Sequence, residues 1–245
     1  MSVEYDKAGP LGSERRYIRT VAVGTRTRLQ LGTARQLAGA LLGEVGTRWQ
    51  HSIGVASRAA ELSAAVAPAD RTLLIAAAWL HDIGYCPRLA VTGFHPLDGA
   101  RFLAAEGWPL RLCALVAHHS GAGFVAEATG LVDEMAEFPD ERSAVTDALA
   151  LADQTTSPTG VPAILADRIA ETVRRHGPDS VQAAVHARRG PYLLGVADRV
   201  AHRLAHAGNG DHAGGQPHAP GLGGQPHRGR DRQAPRCAPL VWRVP

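Results

Sequence analysis

Aromatic residues and cysteines are scarce in this 245-residue sequence, and their scarcity narrows the class of protein. Aromatic residues make up only 5% of the chain, whereas Ala and Leu abound, which suits helices. The three cysteines, Cys86, Cys113 and Cys237, form no CxxC pair. Such an odd and sparse set argues against a disulfide scaffold and indicates a reducing compartment.

Segments that would direct the chain into a membrane are also lacking. The longest apolar run falls far short of the ~18 residues of a transmembrane helix. The first residues carry charged side chains at Glu4, Asp6 and Lys7 and contain no apolar signal core. We therefore expect a cytoplasmic protein without a membrane partner.

Positive charge is scarce in the centre of the chain, although the isoelectric point is near 9.0. Residues 207–245 contain five Arg and two Asp, and residues 1–28 contain six Lys or Arg and three acids. Each end therefore carries +3, and because the whole chain also carries +3, residues 29–206 carry about −3. A nucleic-acid partner is not expected for the centre, and the Arg-rich tail is the one place where it stays an alternative.

No segment alternates apolar and polar residues as a half-buried strand would, so we predict an all-α fold. Residues 29–206 show helical apolar spacing and are expected to form one bundle, closed by helices near 179–188 and 191–206. Residues 1–28 have no such periodicity and are interpreted as a flexible leader. Residues 207–245, rich in Gly, Pro, His and Arg, are predicted to be a disordered tail.

The most informative stretch is an apolar run, Leu73 to Leu80, that ends in His81 and Asp82. Gly84 follows and predicts that a helix stops here. Two side chains able to bind a metal thus lie in the last turn of a buried helix. Burying them without partners is costly, and a metal ion, an ion pair or hydrogen bonds would each relieve that cost.

His51 and Asp153 supply partners for this doublet. Each lies on the apolar stripe or at the end of its own predicted helix, although each alone has an ordinary explanation as a hydrogen-bonded core or helix-end residue. Side chains on facing helices of a bundle converge in its interior. Two imidazoles and two carboxylates suit Mn²⁺, Fe, Co²⁺, Ni²⁺ or Zn²⁺ and, less well, Mg²⁺.

Further histidines predict a second divalent ion. His95 and either His118 or His119 are candidates to hold it, with Asp82 as the carboxylate that touches both ions. Their ordinary alternatives are a residue at the start of a helix for His95 and a surface pair for the two neighbours. We therefore expect one or two ions, and the sequence leaves their number and identity open.

The ordered set resembles the HD-domain metal-dependent phosphohydrolases, over roughly residues 33–160. Three segments carry the resemblance, namely Arg48-Trp49-Gln50-His51-Ser52, Leu80-His81-Asp82-Ile83-Gly84 and Leu151-Ala152-Asp153-Gln154-Thr155. The positions of the extra histidines resemble the subset of the family with two metals. His119 is followed by Ser120-Gly121, which is similar to the small polar residues after this ligand in di-iron members. The resemblance therefore favours His119 as the ligand and leaves His118 as a substrate contact or an alternative ligand.

The resemblance implies hydrolysis of a phosphate ester or anhydride by a metal-activated water. Asp82 would be a ligand and a candidate catalytic proton acceptor, and Arg48 a substrate-binding residue whose planar fork suits phosphate oxygens. The expected partner is a small phosphorylated compound, with a nucleotide as one candidate. Many members carry a Lys soon after the doublet, whereas here Arg88 is the nearest cation, so a particular nucleotide is not implied.

Two other functions stay open. Some HD-domain proteins use a di-iron pair to activate O₂, and the ligand order here resembles theirs as well. A non-catalytic sensor that binds a nucleotide is the other alternative, although a sensor has no need of a complete ligand set. The sequence makes no prediction of the oligomeric state.

Overall fold

The computed structural model describes residues 29–210, with side chains through residue 207, and this part of the chain is all-α, as predicted. The predicted leader and nearly all of the predicted tail lie outside the described residues. The described part contains no strand, only an isolated bridge between Thr156 and Pro162. Its α-helices are α1 Leu31–Leu42, α2 Arg48–Glu61, α3 Arg71–Leu80, α4 His95–Ala105, α5 Leu110–His118, α6 Ala122–Thr129, α7 Val132–Met135, α8 Ala144–Gln154, α9 Leu165–His176 and α10 Val181–Gly210.

The central helix is α3, because it contributes to both apolar cores. Ala76 and Leu80 pack with buried residues of α1, α4 and α5. Leu74 and Ala77, on another face of the helix, pack with α2, α8 and α10. A helix that is apolar on nearly every side is buried on nearly every side, so the end of α3 lies deep in the bundle.

Helices α2 and α8 turn their predicted apolar stripes toward α3. Val55 and Ala59 of α2 are buried, and so are Val145 and Leu149 of α8. The hydroxyl of Ser143 caps the start of α8 by accepting hydrogen bonds from the backbone N–H groups of the first turn. The capped start fixes where α8 begins and therefore which of its side chains face the interior.

An ionic contact anchors α10 against α8. The buried carboxylate of Asp147 accepts hydrogen bonds from Arg199 Nε and Nη2 at 3.0 and 2.7 Å, and from Arg203 Nη1 at 2.8 Å. Two-pronged Arg–carboxylate pairs are geometrically specific as well as strong. They set the register of α10 on α8.

The prediction of two helices near 179–188 and 191–206 is wrong, because α10 runs unbroken through Pro191. Proline costs a helix one hydrogen bond and about 3 kcal/mol, which bends a helix without ending it where packing compensates. Here Val185, Leu193 and Val196 are buried on both sides of the proline. Their spacing keeps one apolar stripe continuous along α10.

Two expectations about the class of protein can be compared with the described residues. None of the described helices is long and apolar enough to cross a membrane. Cys86 and Cys113 are buried free thiols, and Cys237 lies outside the described residues.

Gly84 allows α4 to approach the end of α3 closely. A Cβ added at this position would lie 2.0 Å from the His95 carbonyl oxygen and 2.8 Å from the Gly99 backbone nitrogen. Both atoms belong to the backbone and cannot turn away as a side chain can. The glycine after the His-Asp doublet is therefore required by packing, and the same contact holds His95 next to the doublet.

We expect Gly84→Ala to destabilise the protein by about 2–3 kcal/mol, because the added methyl group overpacks a backbone contact. Urea unfolding of protein stripped with a chelator measures the change. Gly123→Ala is the matched control, since nothing lies within 4 Å of a Cβ there and alanine is preferred to glycine in a helix. A Gly84→Ala protein as stable as its Gly123→Ala counterpart would contradict this account.

Candidate metal centre

Six of the seven predicted ligands lie together in the interior of the bundle. His51 comes from the first turn of α2, His95 begins α4, and Asp153 lies in the last turn of α8. The remaining three follow directly after a helix, His81 and Asp82 after α3 and His119 after α5. Five of the six are buried and His95 is half-buried, so the ends of five helices build one centre.

The six side chains form two groups of three, each with ligand atoms within 4.8 Å of one another. One group is His51, His81 and Asp153, and the other is Asp82, His95 and His119. Each group offers two imidazoles and one carboxylate. This is the donor set that divalent transition ions accept.

The Asp82 carboxylate faces both groups. Its Oδ1 atom lies 3.4 Å from His95 Nε2 and 3.9 Å from His119 Nε2. Its Oδ2 atom lies 3.8 Å from His51 Nε2, in the other group. Its Oδ1 atom also lies 3.5 Å from His81 Nε2, in the same group as His51. The carboxylate as a whole thus lies between the two groups, which is the position that a bridging carboxylate needs.

Backbone carbonyls orient three of the imidazoles. His51 Nδ1 donates to Ser157 O at 2.9 Å, His81 Nδ1 to Ala78 O at 2.8 Å and His119 Nδ1 to Val116 O at 2.7 Å. A carbonyl only accepts, so Nδ1 carries the hydrogen, and in the neutral ring Nε2 keeps its lone pair. All three Nε2 atoms point into the centre, as they do in histidines that bind metals.

The unpaired ring nitrogen of His81 indicates whether a metal ion fits the centre. Its Nε2 is fully buried and has no hydrogen-bond partner among the described residues. An unpaired buried polar atom costs about 1–3 kcal/mol, and native folds rarely retain one without a reason. A divalent ion coordinated by His81, His51 and Asp153 would satisfy this atom, so the donors present fit a metal.

Two neighbours that sequence reasoning missed orient Asp153. Ser120 donates a hydrogen bond from Oγ to Asp153 Oδ2, and Gln154 Nε2 donates to the same oxygen at 2.8 Å. Oδ1 is left toward His51 Nε2, at 2.9 Å. Ser120 holds a left-handed backbone conformation with φ of 53°, which is strained for a residue other than glycine and found at functional sites. Only the place of Ser120 next to His119 hinted at this role.

The buried charges keep the carboxylates ionised. Burial by itself would raise the pKa of Asp82, but the surrounding histidines and Arg48 hold it well below its ordinary value. Burial opposes ionisation of Asp153 too, and the hydrogen bond from His51 together with nearby imidazoles lowers its pKa. Burial lowers the pKa of His95 well below its usual value and that of His119 to about 4. Near neutral pH these two carboxylates and two imidazoles are in the state that binds cations.

Arg48 lies at the edge of the centre. Its Nη1 donates to Asp82 Oδ2 at 2.9 Å, and its guanidinium stacks 3.6 Å from the centroid of the Tyr85 ring. Tyr85 stacks in turn on His95, with 3.8 Å between ring centroids. The Arg48 side chain remains 27% exposed, so the predicted contact with substrate stays a prediction that its position permits.

His118 is the predicted candidate that the structure does not bring into the centre. Its Nε2 donates to the Phe138 carbonyl at 2.7 Å, and it belongs to neither group of possible ligands among the described residues. The reason is local, because α5 ends at His118 and the backbone of His119 leaves the helical conformation, with ψ of 147°. The two neighbours therefore face different surroundings.

A cleft opens over the centre. Besides the ligands and Arg48, it is lined by basic side chains of α9 and α10, namely Arg168, Arg175, His176 and Arg189. Sequence reasoning assigned these two helices to packing alone. No local motif marks their basic residues, since only the fold places them beside the centre.

Residues 48–157 match the family model of the HD domain. The chain contains an HD domain. The match covers all six clustered side chains and ends before the basic residues of α9 and α10. No curated protein and no solved structure matches the chain. The HD domain therefore supports the metal centre, and the wall of the cleft built by α9 and α10 is a feature of this chain beyond the matched segment.

The pair of adjacent histidines gives a test of the centre. We expect His119→Ala to weaken binding of one Co²⁺ or Mn²⁺ ion by at least about 100-fold, since even groups that only support a ligand are worth 10–100-fold. His118→Ala should bind as the unaltered protein does. Isothermal titration calorimetry and elemental analysis measure affinity and stoichiometry. Equal loss in both variants would contradict the assignment of His119.

The pH dependence of metal binding tests His51. Burial opposes its protonation, but the hydrogen bond and charge of Asp153 outweigh burial and raise its pKa above 6.5. A proton between His51 Nε2 and Asp153 Oδ1 occupies the position an ion would take, so the two compete. Co²⁺ affinity should therefore fall, by up to about tenfold per pH unit per proton, as the pH drops through the raised pKa of His51. Affinity that stays constant from about pH 8 to about pH 6 would contradict this competition.

Proposed function

We propose that this protein is a metal-dependent phosphohydrolase that cleaves a phosphate ester or anhydride of a small substrate. HD domains are generally metal-dependent phosphohydrolases. The observation that carries the proposal is the position of Asp82. Its carboxylate faces both groups of ligands at the bottom of a cleft lined by arginines.

The chain's own groups account for binding of the ion and the substrate. His51, His81 and Asp153, together with Asp82, His95 and His119, would hold a divalent ion, whose Lewis acidity would lower the pKa of water and offset negative charge on the phosphoryl oxygens. The low pKa of Asp82 makes its carboxylate a better ligand than proton acceptor near neutral pH. Arg48, fixed by Asp82 and Tyr85, presents its guanidinium beside the centre, where it can contact phosphoryl oxygens.

The cleft limits the size of the substrate. The side chains that line it beside the centre include Arg48, Arg175 and Arg189. Guanidinium groups around a confined cleft suit the phosphate oxygens of a small compound. We therefore infer a small phosphorylated substrate.

The test combines metal content with turnover. Protein purified natively is analysed for bound metals, then loaded with Mn²⁺ or Co²⁺ and assayed without O₂ on p-nitrophenyl phosphate and bis(p-nitrophenyl) phosphate. We expect hydrolysis that Asp82→Ala lowers by at least about 100-fold, because the variant loses the shared ligand. Far-UV circular dichroism should show that the helical fold survives.

Asp133→Ala is the matched control, since Asp133 is an exposed residue of α7 and should leave metal content and turnover unchanged. An Asp82→Ala protein that keeps both metal and activity would overturn the proposal. Two bound irons with activity only in the presence of O₂ would favour the di-iron oxygenase instead. Binding of nucleotides without any turnover would favour the sensor.

A further inference from the structure

The wall of the cleft built by α9 and α10 carries basic side chains that take no part in the metal centre. Arg168, Arg175 and His176 come from α9, and Arg189 comes from α10. Arg48, on the opposite side, is already paired with the Asp82 carboxylate. The charge on the α9–α10 wall therefore has to be explained separately.

Arg189 is the residue of the wall that contacts Ser120, a neighbour of the centre. Its Nε donates to the carbonyl oxygen of Ser120 at 2.8 Å, the residue whose hydroxyl holds Asp153. Among the described residues no carboxylate lies within ion-pair distance of Arg189, although the side chain is half-buried. Burial lowers the pKa of Arg189 and Asp153 opposes that effect, so its guanidinium is a desolvated cation. The contact through Nε holds the guanidinium at the cleft, which Arg189 lines, and among the described residues its two terminal nitrogens have no hydrogen-bond acceptor.

The α9 side of the wall is only partly neutralised. Glu171 is the one carboxylate paired with α9 arginines in the described chain, and it pairs with both Arg168 and Arg175. The contact with Arg168 is close, and Arg168 also donates to the Thr156 carbonyl, so Arg168 is a structural residue. Arg175 lies 3.6 Å from Glu171 through Nε and its side chain is 39% exposed. One carboxylate is thus shared by two guanidiniums, and Arg175, which lines the cleft, is only partly neutralised.

The basic side chains of the α9–α10 wall lie close enough together to influence one another electrostatically. Burial first, and then the positive charges of Arg175, Arg48 and Arg189, lower the pKa of His176. Gln182 and Thr172 lie between these side chains along the same cleft. Converging cations with free donors next to neutral hydrogen-bonding groups form a surface that binds phosphate oxygens.

We propose that Arg175 and Arg189 form a second anion subsite, so that the substrate carries two anionic groups. One group reacts at the metal centre, and the other, a phosphate or diphosphate group, is bound by the α9–α10 wall. This inference rests on the proposed function and narrows it to substrates with at least two phosphates, such as bisphosphates and nucleoside di- or triphosphates. A simple phosphomonoester would bind at the metal centre and leave the subsite of Arg175 and Arg189 unoccupied.

The test measures binding without turnover. Methylphosphonate is compared with diphosphonates that carry one, two or three carbons between the phosphorus atoms, by calorimetry on protein with saturating Mn²⁺. Carbon–phosphorus bonds resist hydrolysis, so binding is separated from catalysis. We expect at least one diphosphonate to bind about 10–100-fold more tightly than methylphosphonate, as one or two charge-assisted hydrogen bonds predict.

The Arg175→Gln/Arg189→Gln double variant should lose this preference. Arg174→Gln/Arg188→Gln is the matched control, because it changes the same residue types and net charge at neighbouring positions that do not line the cleft. Arg175→Gln alone, compared with Arg174→Gln, leaves the Arg189–Ser120 contact intact and covers the case in which the double variant misfolds. A preference that the control removes as fully as the test variant, or no preference in the unaltered protein, would overturn the inference.

This result is separable from the proposed function. Protein that prefers diphosphonates through Arg175 and Arg189 but hydrolyses nothing would support the subsite and contradict the hydrolase. Protein that hydrolyses p-nitrophenyl phosphate but binds both classes of phosphonate equally would support the hydrolase and contradict the subsite.

Discussion

The buried carboxylate of Asp82 is the constraint on which the structure depends. It is only 3% exposed and lies among imidazoles and one guanidinium, so its charge is stable only while those groups surround it. The end of α3 places it there, because α3 packs into both apolar cores. Gly84 lets α4 come close enough to bring His95, and the end of α5 brings His119. A bundle that packed differently at α3 would lose the centre as a whole.

A second layer of contacts connects the centre to the helices beyond the matched HD segment. Asp147 holds α10 against α8, and the same two helices carry Arg189 and Asp153. Ser120 joins them, since its hydroxyl donates to Asp153 and its carbonyl accepts from Arg189. A change in the position of α10 would therefore displace Ser120 and, through its hydroxyl, the Asp153 carboxylate. These contacts connect the HD domain to the wall of the cleft, although the family match covers only the first.

Sequence reasoning succeeded where the information was local. The apolar spacing of α2, α3 and α8 predicted which faces are buried, and the order of His51, the doublet and Asp153 predicted side chains that meet in the centre. It was limited where a backbone detail decided the outcome. The sequence favoured His119 but left His118 open as a ligand, and only the fold at the end of α5 places one of them in the centre. Two helices were expected over 179–188 and 191–206, and only the packing on both sides of Pro191 keeps α10 continuous.

By itself, the sequence determined the all-α class and the types and order of the candidate ligands along the chain, because periodicity and residue chemistry are local properties. The tertiary structure decided that Asp82 lies between the two groups, which histidine is left with an unpaired buried nitrogen, and which arginines line the cleft. These depend on atoms far apart in the chain. Arg189 lies 69 residues from Ser120, and no spacing rule connects residues that meet only because α10 folds back over the centre.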